Sequence, residues 1–308
     1  WKGAKCTLVE YDKKSFIEAR NLFKKYSKNK FAVINKDLFK FKTKKKFDFV
    51  ISNGVAHHTS DVVKNINLAI KFLKKDGFFI LGLGETNGFF QRNLQRYILY
   101  SLTSDTNELI KLSKLLFNEN LNRGKKFGGR SIKEIIYDTY VNPKIDTLPF
   151  SKINSLFKKN NLYLYSADED NFDLKKLHGF NKSYFRLKKG SKFSDKDFLL
   201  NSLVNFSYRG NAEKSLNKNL SILNKILIIQ NNISQKINDQ SLKGFKKLDL
   251  DKNLKIYERE IEKLEKIDII NKKNILKFIS EVKNIFKILD GNDKNIKIKL
   301  LKKAIKRY

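Results

Sequence analysis

Acidic residues follow two short apolar segments near the start of the sequence. Glu10 ends the run KCTLVE, while Asp37 and Leu38 follow the run FAVIN. A carboxylate at Glu10 could accept hydrogen bonds from both hydroxyl groups of a ribose. A carboxylate at Asp37 could accept one from the exocyclic amine of adenine, with Leu38 beside the ring. Either acid could instead be a solvated residue that begins a turn, so both are candidates for a nucleoside site.

A third apolar segment, FDFVI, ends in Ser52, Asn53 and Gly54, and two adjacent histidines, His57 and His58, come shortly after it. Glycine lets a ligand approach the backbone closely. Histidine exchanges a proton near neutral pH, which suits general-base catalysis. Because adjacent side chains point in different directions, we do not expect both histidines to act on one substrate. The alternative is structural: one ring packs on the next helix and the other bonds to the backbone.

These candidates follow strands that alternate with helical patterns. Strands that are apolar throughout are typical of a parallel sheet with helices on both faces. Ligands bind beyond the carboxyl ends of the strands in such a sheet, so the candidates should meet in one crevice. The predicted strands are Lys5–Tyr11, Phe31–Asn35, Phe47–Ser52 and Phe78–Leu83. The predicted helices are Ser15–Tyr26 and one that begins at Asp61 and ends with Gly77 as its left-handed C-terminal residue.

The pattern changes after residue 85. From about Asp195 onward the apolar spacing is helical throughout, which predicts an all-helical region. Two segments have the composition of strands and would make an antiparallel edge, namely Leu162–Ala167 and Tyr184–Leu187. The remaining predictions are helix within Phe89–Phe117, a loop over Asn118–Ser131, and a helix over Ser151–Asn160 that Ser151 caps.

The charge balance is strongly basic, with 65 Lys and Arg against 32 Asp and Glu in 308 residues and a formal charge of +33. A nucleic-acid partner is compatible with this charge but is not favoured, because the excess is mostly lysine and is spread over both halves of the chain. The single cysteine excludes an internal disulfide. No signal peptide and no apolar run of about 18 residues is visible, so we predict a cytoplasmic protein that does not span a membrane.

Three motif-like stretches lack the features that their usual chemistry needs. The stretch Gly82–Gly88 has one residue too many for a dinucleotide fingerprint and follows a late strand. The acidic cluster Asp249–Glu260 has Leu254 where the turn of a calcium loop needs glycine. His178 is remote from the histidine pair and Cys6 stands alone, so no zinc-ligand spacing exists. We therefore predict no metal site.

Four segments, taken in order, resemble class I S-adenosylmethionine-dependent methyltransferases. KGAKCTLVEYDKKSFIEAR resembles the join of their first helix, second strand and second helix. FDFVISNGVAHHTSD resembles their fourth strand and its turn, and LKKDGFFILGL resembles the helix end and fifth strand, with Asp76 in place of a glycine. IYDTYVNPKIDTLPFSKINSLFKKNNLYLYS resembles the substrate-side segment and sixth strand of bacterial members. The resemblance covers about residues 1–190 and rests on the order and spacing of these segments.

The resemblance implies S-adenosylmethionine as the cofactor, with its ribose on Glu10, its adenine on Asp37 and Leu38, and its amino-acid end near Ser52–Gly54. The glycine-rich loop of the family would precede these segments and is absent from this sequence. Since the chain also lacks methionine, we expect it to begin within the family's first helix. We expect this chain to be inactive by itself, and the activity to belong to the complete protein.

The substrate-side candidates lie in the segment before the sixth strand. Asp138 or Tyr140 could hold or deprotonate a nucleophile on the methyl acceptor, as His57 or His58 could. Ordinary loop polarity is the alternative explanation for these residues. Further candidates are Tyr137 and Asn142 beside them, and a lid formed by Arg130 and the Gly128–Gly129 hinge.

We therefore predict an α/β fold with a doubly wound, mainly parallel sheet that lacks its first strand, spanning residues 1–190. Within it, residues 89–150 form a substrate-side insertion, and a basic all-helical domain follows over residues 191–308. The predicted function is methyl transfer to a small-molecule acceptor, because the insertion could enclose a ligand. Two alternatives remain open. One is an RNA methyltransferase that uses the lysine-rich helices, and the other is a non-catalytic module whose helical tail binds a protein partner.

Overall fold

The structure, a computed structural model, describes residues 3–26, 30–86, 88–163, 166–167, 185–186, 220–241, 244–264 and 272–305. The chain divides into two compact units, residues 1–82 and residues 83–308. The elements of the first unit are β1 (Cys6–Glu10), α1 (Lys13–Tyr26), β2 (Phe31–Asn35), β3 (Phe47–Asn53), α2 (Val62–Lys71) and β4 (Leu73–Gly82). Two short 3-10 helices follow β2 and β3, at Leu38–Lys40 and Ala56–His58.

The strands of the first unit form two parallel pairs. β1 pairs with β2, so that Glu10 lies opposite Asn35. β3 pairs with β4, so that Asn53 lies opposite Gly82. α1 contacts β1 and β2, and α2 contacts β3 and β4, which is the crossover connection that parallel strands require. The predicted α/β alternation with parallel strands is confirmed, whereas the continuous doubly wound sheet remains a prediction, because the described strands form separate two-stranded sheets.

β4 begins earlier than predicted. α2 ends at Lys71, and β4 starts at Leu73 with an irregular register before it pairs regularly with β3. Asp76 has the left-handed φ of 62° in this irregular stretch, so the predicted role of Gly77 at the helix end is wrong. Gly77 is needed for a different reason: a Cβ there would lie 3.0 Å from the Asp48 carbonyl oxygen.

The two faces of the β3–β4 pair differ. α2 is placed by Asp61, whose carboxylate caps the helix by accepting from the Lys64 amide, and it buries an apolar stripe. Side chains alternate along a strand, so every second residue of β3 and β4 lies on the opposite face. The exposed face consists of Phe49, Ile51, Phe78 and Ile80, which are 43% to 66% exposed. The Phe49 and Phe78 rings stack there with centroids 5.5 Å apart.

The second unit is mainly helical. Its helices are α3 (Phe90–Leu102), α4 (Thr106–Leu116), α5 (Asn118–Gly128), α6 (Ile132–Ile136), α7 (Phe150–Lys159), α8 (Leu220–Asn238), α9 (Asp251–Glu262), α10 (Lys272–Leu289) and α11 (Lys294–Ala304). A π-helical turn, Tyr137–Val141, continues α6. The core of this unit includes Tyr97, Leu109, Tyr257 and Ile279. Across the described parts of the chain, no helix is both long and apolar enough to cross a membrane.

The predicted loop over Asn118–Ser131 is wrong, because most of it forms α5. Leu121 is 1% exposed, and Gly124 packs so closely that a Cβ there would lie 3.2 Å from Ile135. Tertiary packing therefore overrides the low helix propensity of this polar, glycine-containing stretch. The predicted helix in Phe89–Phe117 is confirmed as α3 and α4.

Two further predictions concern residues 150–190. α7 begins at Phe150 with Pro149 as its N-cap residue, so the prediction that Ser151 caps it is wrong. The antiparallel pairing of the two late strands is confirmed over two residues each, β5 (Ser166–Ala167) and β6 (Phe185–Arg186). The predicted domain boundary at residue 190 lies outside the described residues, as does His178. Residues 83–190 are part of the second compact unit.

Candidate functional site

Glu10 is held at the end of β1 by local hydrogen bonds. The Asn35 side chain donates to the carbonyl oxygens of Glu10 and Tyr11, both at 2.9 Å, and ties the ends of β1 and β2 together. The Glu10 carboxylate accepts from the Asp12 amide at 2.8 Å through Oε1. The carboxylate orientation is therefore fixed by the turn that follows the strand.

Asp37 and Leu38 lie next to Glu10 in space. The Lys36 amide donates to the Glu10 carbonyl oxygen at 3.0 Å, which brings the chain after β2 back to the end of β1. Asp37 then caps the 3-10 helix Leu38–Lys40 by accepting from the Phe39 amide at 2.9 Å. Asp37 and Leu38 are both half-buried. The structure therefore brings together the three residues predicted for the ribose and the adenine.

The ends of β3 and β4 are joined closely through two glycines. The Gly54 amide donates to the Gly82 carbonyl oxygen at 3.0 Å. Gly54 has a φ of 71°, and a Cβ on it would meet no atom within 4 Å. A Cβ on Gly82 would lie 1.8 Å from the Asn53 Oδ1. This strand end therefore combines close backbone packing with open space beside Gly54.

Two neighbouring residues of α2 connect these two strand ends. The Lys64 ammonium lies 5.1 Å from the centroid of the Phe39 ring, in the turn that Asp37 caps. Next to it, the buried Asn65 accepts from the Ser52 hydroxyl at 3.4 Å. The predicted adenine residues and the predicted Ser52–Gly54 segment thus contact the same turn of one helix.

His57 and His58 lie in the 3-10 helix that follows β3. Their ring centroids are 4.1 Å apart and the ring planes are inclined by 54°. The helix is closed by the Thr59 hydroxyl, which donates to the Ala56 carbonyl oxygen at 2.7 Å, and it contacts α2. Both histidines are half-buried. Their position beside the strand end matches the sequence-based expectation, whereas the two rings lie side by side, and their roles remain predictions.

Tyr140 lies in the core of the second unit and is 2% exposed. Its hydroxyl donates to the Gln95 Oε1 at 2.8 Å, and its carbonyl oxygen accepts from the Tyr100 hydroxyl at 2.7 Å. Burial raises the pKa of Tyr140. The Tyr140 side chain packs in the core and hydrogen-bonds to it, so the structure favours a structural role over the predicted catalytic one.

Asp138 lies at the surface of the π-helical turn, where Arg130 pairs with it at 2.8 Å. Arg130 also donates to the Glu134 carbonyl oxygen at 3.3 Å. Beside them, Tyr137 is 44% exposed, and the Asn142 side chain accepts from the Lys144 amide. Gly129 has a φ of 64° and ends α5, so the predicted hinge is a helix terminus.

Sequence reasoning missed Arg92 and Arg96. Arg96 is 4% exposed and donates to the carbonyl oxygens of Thr139 and Asn142, both at 3.0 Å, so it holds the π-helical turn in place. The signal was present in the stretch QRNLQR, where two arginines are spaced by one helical turn in a largely apolar helix.

No group of three or more His, Cys, Asp or Glu residues that could hold a metal ion occurs in the portion of the chain that the structure describes. The strands of the first unit pair in parallel, and the residues at their carboxyl ends include acids and close-packed glycines.

Residues 1–81 match the family described as a methyltransferase domain. Over these residues the match confirms the resemblance to class I S-adenosylmethionine-dependent methyltransferases. No curated protein and no solved structure matches the chain.

Proposed function

We propose that this protein transfers a methyl group from S-adenosylmethionine to a small-molecule acceptor. The observation that carries the proposal is the methyltransferase-domain match over residues 1–81, because this segment contains β1 to β3 and the candidate residues that follow them. S-adenosylmethionine, when bound, supplies the reactive methyl group on a sulfonium sulfur. The protein then has to orient the reactants, exclude water and accept a proton. The single cysteine suits a reducing compartment, and we assign the activity to the cytoplasm.

The residues at the strand ends fit such a cofactor. Open space lies beside Gly54, and the amide nitrogen of the buried Asn65 has no hydrogen-bond partner among the described residues. The Glu10 carboxylate, oriented through Oε1, would accept from the ribose hydroxyls. Asp37 would accept from the adenine amine while Leu38 covers one edge of the ring.

A histidine would take the proton that the acceptor loses. His57 and His58 follow the β3 end directly, and histidine has an ordinary pKa near neutrality. The two rings lie side by side, with centroids 4.1 Å apart; one ring would act on the acceptor and the other would support the turn. Asp138 is the alternative base, and Tyr140 is disfavoured because it is buried.

Methylation of RNA is a second candidate function, favoured by the charge of one helix. The sequence of α11, KNIKIKLLKKA, contains five lysines and no acidic residue. A basic helix of this kind can neutralise phosphates along a nucleic-acid backbone. A non-catalytic interaction module remains the alternative if the cofactor does not bind.

Calorimetric titration of S-adenosylhomocysteine into the protein tests the cofactor. We expect binding in the micromolar range, weakened about tenfold to a hundredfold by Glu10→Ala, because charge-assisted hydrogen bonds to the ribose are lost. Glu18→Ala is the matched control, since Glu18 is an exposed acid on α1 that only approaches Lys14 at 4.0 Å. Absence of binding to the folded wild type would overturn the enzyme proposal and favour the interaction module.

The acceptor class is tested by incubating the same protein with methyl-tritiated S-adenosylmethionine and either bulk RNA or a small-molecule extract. We expect label in the small-molecule fraction. Label in RNA, lost when the lysines of α11 are replaced by glutamine, would establish the second candidate function instead.

A further inference from the structure

Two arginines lie one turn apart on α3 without a carboxylate partner. Arg96 is 4% exposed, and its guanidinium is bonded to two backbone carbonyl oxygens of the segment Thr139–Asn142. Among the described residues, no Asp or Glu forms an ion pair with Arg92 or Arg96. Buried charges in proteins are normally paired with an opposite charge. The buried Arg96 charge is met instead by these two carbonyl dipoles and by the Tyr100 ring, whose centroid lies 5.0 Å from the guanidinium carbon.

Arg92 belongs to a larger group of charges on the same unit. Its side chain is exposed, and its guanidinium carbon lies 4.6 Å from the centroid of the Phe89 ring. Protein packed around it lowers the pKa of Arg92, while the negative charge of Asp138 raises that pKa and the positive charge of Arg130 lowers it. The geometry agrees, because Arg92 precedes Arg96 by one turn of α3 and Arg96 bonds to the π-helical turn that carries Asp138.

This group contains three arginines and one carboxylate, so its net positive charge favours the binding of an anion. Arg96 and Arg130 both bond to the segment that contains the π-helical turn, and Arg92 lies one turn before Arg96, whereas the turn itself carries one carboxylate, Asp138, which Arg130 holds at 2.8 Å. The arginines also repel each other, since the charge of Arg92 lowers the pKa of Arg96. Arg92 lies in the first turn of α3, where the helix dipole adds to the positive potential.

We propose that Arg92 and Arg130 form an anion-binding site beside the π-helical turn, for a ligand that carries a phosphate or a carboxylate. Planar guanidinium groups bind either anion through two parallel hydrogen bonds. Arg96 supports the site because its two hydrogen bonds to carbonyl oxygens hold the backbone of the turn in place. Asp138 is an internal competitor that occupies Arg130 until a ligand displaces it. The site does not depend on the proposed methyl transfer.

Titration of the full chain with inorganic phosphate, and separately with succinate, at constant ionic strength tests the proposal. We expect saturable binding in the millimolar range or tighter, weakened about tenfold by Arg92→Gln or Arg130→Gln. Arg123→Gln is the matched control, because Arg123 lies on α5 and donates to Asn120 of the same helix at 3.3 Å, so this variant should bind the anion as the wild type does. Tighter phosphate binding assigns a phosphate ester, and tighter succinate binding assigns a carboxylate.

Asp138→Asn gives the sharpest readout, because it removes the competitor and leaves the arginines in place. We expect this variant to bind the anion several-fold more tightly than the wild type, which a purely structural ion pair would not produce. Circular dichroism confirms the fold of each variant, and Arg92→Gln with Asp138→Asn decides the question if Arg130→Gln does not fold. No saturable binding, or equal binding by wild type and all variants, would overturn the proposal.

Discussion

Tyr140 joins the π-helical turn to α3 through its hydroxyl, which donates to Gln95, and its carbonyl oxygen, which accepts from Tyr100. Replacing it with phenylalanine leaves the buried Gln95 Oε1 without its donor. We expect Tyr140→Phe to lower the free energy of unfolding by about 1–2 kcal/mol in urea titrations. Tyr137→Phe is the control: Tyr137 is 44% exposed, so its change should stay within about 0.5 kcal/mol. Equal effects would contradict the structural role assigned to Tyr140.

Tyr140 also makes the free energy of unfolding depend on pH. Burial raises the pKa of Tyr140, so the folded protein keeps the phenol neutral at a pH where the unfolded chain ionises, about 10. Its contribution is complete below about pH 10 and is lost as the pH rises further. We therefore expect the stability difference between wild type and Tyr140→Phe to shrink from about pH 8 to about pH 11. A constant difference would show that Tyr140 ionises equally in both states.

Residues at strand ends were predictable, and buried polar residues were not. Glu10, Asp37 and Gly54 follow apolar runs, and that local pattern alone places them at the edge where ligands bind. Tyr140 was predicted as catalytic because its polarity is visible in the sequence. Its burial depends on Gln95 and Phe117, which are distant in sequence, so no local pattern could reveal it.

The C-terminal end of α5 can be tested with two glycine substitutions. Gly129 has a φ of 64°, where an alanine Cβ is strained, so Gly129→Ala should lower the free energy of unfolding by about 1 kcal/mol. Gly128 is the last residue of the same helix and has nothing within 4 Å of an added Cβ. Gly128→Ala should therefore be neutral or stabilise by up to about 1 kcal/mol. Both variants are measured by urea unfolding. If Gly128→Ala lowered the free energy of unfolding as Gly129→Ala does, the assignment of Gly129 as the left-handed end of α5 would be wrong.

Elements with a strong apolar pattern were predicted well, while irregular ones were not. β2 coincides with its predicted range and β3 extends it by one residue. α5 has few apolar residues and forms because Leu121 is buried and Gly124 packs on Ile135. The early start of β4 depends on Asp76 in a left-handed conformation, which no propensity favours strongly.

The division into two compact units predicts separable unfolding of the whole molecule. Ile66 lies in the first unit and Leu109 in the second, and both are 0% exposed. Each alanine substitution should cost about 2–5 kcal/mol in its own unit. In scanning calorimetry we expect two transitions, with Ile66→Ala lowering the temperature of one and Leu109→Ala that of the other. A single transition lowered equally by both variants would show that the units unfold together.

The sequence was least informative about how the whole chain divides into compact units. Strand and helix patterns show which segments are regular, but they do not show which segments share a core. The resemblance spans about residues 1–190, whereas the first compact unit ends at Gly82. The even spread of lysine likewise does not reveal a binding surface, and the arginine group on α3 emerged only from three-dimensional contacts.

The close approach of Asn53 and Gly82 has an evolutionary consequence. A Cβ at position 82 would lie 1.8 Å from the Asn53 Oδ1 and 3.1 Å from the Asn53 Cα, so a larger residue there requires the Asn53 side chain to move or to be shorter. Homologues that carry a larger residue at position 82 should carry a smaller one at position 53, so the two columns should covary. A lineage that replaced Asn53 first would avoid the overlap, whereas one that replaced Gly82 first would have to move the Asn53 side chain.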